Sequence, residues 1–66
     1  MGRIRRGGYI FEWWIGDHDP RHIHVFDNQG NLLGRVVVAT GAPLDAWTPS
    51  KKVLSLIKEL QKENRL

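Results

Sequence analysis

A single amphipathic helix placed behind several strand-like segments limits this chain more than any other feature. After Thr48-Pro49, the residues Val53, Leu56, Ile57 and Leu60 fall at i, i+3, i+4 and i+7, forming one apolar stripe. Thr48 is a good N-cap and Pro49 suits the first helical position, so the spacing predicts a helix over about 49–64. One stripe on one helix needs one apolar sheet face to cover it. The chain has 66 residues, enough for one small domain and no second one.

Three upstream segments read as strands. Tyr9-Ile10-Phe11-Glu12-Trp13-Trp14-Ile15 is rich in aromatic and β-branched residues, and so are His22 to Phe26 and Asn31 to Ala39. Asp19-Pro20 breaks the chain between the first two, because proline cannot donate to a ladder and pushes its predecessor out of helical space. Asp27-Asn28-Gln29-Gly30 carries turn chemistry between the second and third. Residues 1–8 read as a basic arm or a short edge strand, since Gly2, Gly7 and Gly8 deny this segment a stable element of its own. The expected fold is therefore α+β, as a single domain over 9–66. A three-stranded antiparallel sheet, with strands over about 9–15, 22–26 and 31–39, is packed on one face by the C-terminal helix.

Strand side chains alternate with period two, which sorts the residues onto two faces. Tyr9, Phe11, Trp13, Ile15, Ile23, Val25, Leu32, Gly34, Val36 and Val38 form the set for the helix to cover. A four-residue turn at 27–30 would pair Phe26 with Asn31, Val25 with Leu32 and His22 with Arg35. The opposite face then carries Ile10, Glu12, Trp14, His22, His24, Phe26, Leu33, Arg35 and Val37, with Glu12 in reach of Arg35. Trp13 and Trp47 read as core residues.

All three histidines lie in Asp17-His18-Asp19-Pro20-Arg21-His22-Ile23-His24. This Asp-His-x-Pro-x-His-x-His pattern after an aromatic strand resembles the bacterial family of small proteins called domain of unknown function 4160. The resemblance runs from about Tyr9 to the end of the helix. It includes Thr40-Gly41 and the Pro49-x-Lys51-Lys52 opening of the helix. Arg21 departs from it, standing where the family has a second proline. The resemblance implies this fold and a site at the histidines rather than a particular reaction. It also implies a place among small proteins encoded beside a partner in toxin–antitoxin-like pairs.

Three chemistries fit the cluster. The first is RNA. His22 and His24 could act as acid and base near neutral pH without a metal, as in a ribonuclease-like cleavage. Trp14 and Phe26 could stack bases, while Arg21, Arg35, Lys51 and Lys52 met phosphates. The basic balance, ten Lys and Arg against seven Asp and Glu, agrees with such a partner, and Arg3, Arg5 and Arg6 could follow a nucleic acid backbone. The second is a divalent transition metal held by His18, His22 and His24, with no cofactor required otherwise. The third is a binding module without chemistry, whose apolar open face takes a small cognate protein or a second copy as a homodimer. The pattern leaves catalysis and binding both open. With no cysteine, disulfide scaffolds and thiolate chemistry are excluded. No segment approaches the roughly 18 apolar residues of a membrane span, so the expected location is the cytoplasm.

Overall fold

A computed structural model describes residues 2–14 and 21–65. The chain forms strands β1 (Gly2–Arg6), β2 (Tyr9–Trp13), β3 (His22–Asp27) and β4 (Leu32–Val37), followed by helix α1 (Lys51–Lys62). The sheet has four strands, not three, in the order β1-β2-β3-β4, with every neighbouring pair antiparallel. Residues 2–6 are thus an edge strand of the same sheet. Their strand exists because Gly7 and Gly8 both take positive φ (62° and 85°) in the two-residue turn that joins Arg6 to Tyr9. A turn of this kind matches the twist of the flanking strands, and glycine adopts it without steric cost.

The core lies between the sheet and α1. Phe11, Trp13, Ile23, Val25 and Val36 from the sheet meet Val53, Leu56, Ile57 and Leu60 from the helix, the stripe that the spacing predicts. Two tryptophans close its ends over glycines. The Trp13 indole lies on Gly2 and the Trp47 indole on Gly34, each so near that an added Cβ would overlap the ring. Arg6 reaches from β1 to the helix end, where its Nη1 and Nη2 donate to Glu63 at 2.7 and 3.0 Å.

The β3–β4 register differs from the expected one by two residues. His22 faces Val37 and His24 faces Arg35, where the turn argument gives His22 opposite Arg35. Asp27 causes the shift. Its Oδ1 accepts the N–H groups of Gln29 and Asn31 (2.8 and 2.9 Å), and its own N–H donates to Asn31 O, which draws Asn31 into the loop. A bulge at Val25/Phe26 absorbs the odd residue and exchanges the two leucines. Leu33 packs on the core, while Leu32 takes the place opposite Phe26 and is 55% exposed. A shift of two keeps the faces of residues 22–25 unchanged, so the face assignment there survives the change of register.

The helix also begins later than expected. Its N-cap is Ser50, whose Oγ accepts the Val53 N–H at 3.2 Å, and Pro49 is buried just ahead of it. At the other end Asn64 (φ 60°) closes the helix. Asn64 N–H donates to Gln61 O and Arg65 N–H to Leu60 O, the paired bonds of a left-handed helix stop.

Candidate functional site

The face of the sheet opposite α1 has no second layer among the described residues, and its side chains form cross-strand rows. One row runs Arg3–Glu12–His24–Arg35, and the next runs Arg5–Ile10–Phe26–Leu32. Ile10 is only 4% exposed although it stands outside the helix-side core, so this face has an apolar floor of its own. Trp14 continues β2 onto the same face. Its ring meets His24 edge-on at 4.7 Å between centroids, and His22 lies 5.2 Å from His24 with the rings inclined at 58°. Three neighbouring rings result, with Phe26 two residues farther along β3, about 7 Å on.

The two histidines converge because strand residues two apart project in the same direction, as the sequence requires. The structure thus brings together Trp14, His22, His24, Phe26 and Arg35 from the expected set. The other members fall elsewhere. Arg21 is exposed just before β3, its carbonyl accepting the Val38 N–H at 3.0 Å, and strand alternation gives it the parity of Ile23. Lys51 and Lys52 open α1 in the layer behind the sheet, and the Lys52 Nζ lies 6.0 Å above the Tyr9 ring. His18, with Ile15, Asp17 and Asp19, lies outside the described residues. Among the described residues no three His, Cys, Asp or Glu side chains are placed to hold a metal ion, and no helix is long and apolar enough to cross a membrane.

Charge at the site is set by pairs that residue spacing does not show. Glu12 meets Arg3 (3.5 Å), not Arg35. Arg35 Nε and Nη2 donate to Asp45 Oδ2 and Oδ1 at 3.1 and 2.9 Å, and the Arg35 backbone N–H also donates to Oδ2. The Arg35 side chain, first among several causes, holds the Asp45 carboxyl below its ordinary range, and the nearby His24 adds a smaller contribution in the same direction. The Arg35 fork is therefore already committed to a carboxylate. The cations that border the rings on the far side are Arg3 and Arg5, on one face of β1 because they are two residues apart. The sequence offers Arg3, Arg5 and Arg6 to a nucleic acid backbone without placing them beside the rings. The alternation Arg3-Ile4-Arg5 ahead of Gly7-Gly8 is the signal that could have found them. Asp45 left no such signal, since it reaches Arg35 from a loop ten residues downstream.

The chain matches no protein-family model, no curated protein and no solved structure.

Proposed function

We propose that this protein binds single-stranded RNA on the open face of its sheet. The observation that carries the reading is the group of neighbouring rings Trp14, His24 and His22, continued by Phe26 and bordered by Arg3 and Arg5. Unpaired bases stack on rings of this kind, and each stacked base contributes about 1–3 kcal/mol. Sheet-borne rings beside a cationic border are a recurrent way to hold RNA, because bases splay onto the sheet while phosphates follow the arginines. The excess of basic residues in the whole chain has the matching sign.

The histidines fit binding better than cleavage. In-line phosphoryl displacement places the attacking and leaving oxygens at opposite ends of the phosphorus. Two rings 5.2 Å apart that project from one strand in one direction approach a phosphate from the same side. His22 and His24 are accordingly read as phosphate or base-edge contacts through their ring nitrogens.

Fluorescence anisotropy with a short labelled oligouridine tests this at low salt. Trp14→Ala should weaken binding about tenfold or more, as the loss of one stacked base predicts. Arg5→Ala should flatten the salt dependence by about one phosphate contact. Equal affinity for duplex and single strand, or an unchanged affinity in Trp14→Ala, would sink the reading. If micromolar zinc shifts the His22 and His24 ring resonances and RNA does not, the site belongs to a metal instead.

A further inference from the structure

The two edges of the sheet are treated differently by the chain itself. Along β4, residues 42–45 run beside the strand. The Val37 N–H donates to Ala42 O (2.8 Å), the Leu44 N–H to Arg35 O (2.9 Å) and the Arg35 N–H to Asp45 Oδ2 (3.0 Å), with a bridge between Val36 and Pro43. That edge is closed. Along β1 no segment among the described residues does the same. Alternate backbone groups of an antiparallel edge strand point outward, and proteins shield such edges with bulges, prolines or covering segments. Among the described residues β1 has none of these, since Gly2 to Arg6 pair with Trp13 to Tyr9 in unbroken register; what guards it is the charge of its arginines, which repels a basic strand and admits an acidic one.

We propose that the outer edge of β1 receives an extended acidic segment of a partner protein as a fifth strand. The chemistry of β1 specifies the guest. Arg3 and Arg5 are exposed on the open face, and Ile4 between them turns to the helix side, partly buried against the core. A guest strand with two acidic residues flanking an apolar one sets its carboxylates beside Arg3 and Arg5 and its apolar side chain beside Ile4. Arg6 takes no part, because Glu63 holds its guanidinium through two hydrogen bonds, whereas Arg3 meets Glu12 only through Nε at 3.5 Å and its side chain is 61% exposed. A second copy of this chain is the wrong guest. Pairing β1 with β1 would set arginines against arginines, and like charges on facing strands repel. This surface shares Arg3 and Arg5 with the RNA reading but uses the β1 backbone edge and Ile4 instead of the rings, and it does not rest on that reading.

The test uses the whole protein, isotope-labelled, with two blocked peptides of one composition, Gly-Glu-Val-Glu-Val-Glu-Gly and Gly-Glu-Glu-Glu-Val-Val-Gly. The alternating peptide should shift the amide resonances of Gly2–Arg6 at millimolar concentration and slow hydrogen exchange at the outward groups of β1. The block isomer should do neither. Arg5→Glu, at a residue facing Ile10 rather than an acid, should weaken the alternating peptide about tenfold and admit its lysine counterpart. Equal responses to both isomers, shifts centred on Trp14 or His24, or no shift in β1 at all would each overturn the proposal. Trp14→Ala should leave peptide binding unchanged while it weakens RNA, so the two readings fail separately.

Discussion

On the helix side of the sheet, Phe11, Ile23, Val25 and Val36 are sealed from water, and the faces of two glycines are filled by tryptophan rings. On the other side the same strands present arginines, histidines, a tryptophan that is 37% exposed and one buried isoleucine. Both faces come from the same alternation of residues, yet only the first is covered by a second layer among the described residues. A domain of this size has little stability to spare, so a face whose half-buried rings and exposed Trp14 have no second layer among the described residues is retained at some risk of aggregation. The difference separates the residues that hold the fold from those proposed to bind RNA.

The strongest way to break that division is to truncate one aromatic ring on each side. Phe11→Ala should lower stability by about 3–5 kcal/mol, much of what a small domain possesses, and thermal melts should show the variant largely unfolded near room temperature. Trp14→Ala loses the edge-on contact with His24 and the burial of a ring that is already 37% exposed, so its melt should move by about 1–2 kcal/mol, less than the Phe11 variant. Comparable losses in the two variants would mean that the open face also belongs to the core.

A change at Gly34 sharpens the comparison within the helix side. A methyl group there would enter the Trp47 indole, which must shift or rotate away. Gly34→Ala should destabilise by about 1–3 kcal/mol, as overpacking does, and should move Trp47 fluorescence toward longer wavelength. An unshifted spectrum with full stability would show that Trp47 is not seated on the sheet.

The helix stripe and the face of each strand residue from 22 to 25 were legible, because periodicity is a property of the residues themselves. Three elements were not. Residues 1–8 read as either a basic arm or an edge strand, and the choice between the two needs Gly7-Gly8 to be taken as a hairpin turn rather than a breaker. The register after Phe26 depends on how Asp27 arranges the N–H groups of its loop, a choice between turn geometries that residue type leaves open. Thr48 and Ser50 both qualify as caps on either side of Pro49, and Pro49 is buried ahead of the helix, which leaves Ser50 as the cap. At the site, the rings were legible from alternation alone. The pairing of Arg35 with Asp45 was not, because it depends on the path of a loop. Asp45→Asn should release the Arg35 guanidinium toward phosphate and tighten RNA binding about threefold, read by anisotropy. A weaker complex would make that ion pair a support for the site instead of a competitor.

The smallest expected effect is an acid limb shared unequally by the two sides. Glu63 is held below its ordinary range by the Arg6 side chain first of all, Asp45 by the Arg35 side chain, and Asp27 by the Asn31 backbone N–H. Each carboxyl binds its proton more weakly in the folded protein than in the unfolded chain. Its contribution is therefore complete above the ordinary carboxylate range and is lost as pH falls through the lowered folded value. The melting temperature should be flat from neutral pH to about 5 and should fall below about pH 4. Side-chain exposure ranks the two arginine pairs. Arg6 is 27% exposed and Arg35 41%, so solvent and salt screen the helix-side pair less. Glu63→Gln should therefore flatten the acid limb more than Asp45→Asn does, by thermal denaturation followed across pH. The reverse order would place the stronger electrostatic tie on the open side, beside His24, and would make that side a structural element in its own right.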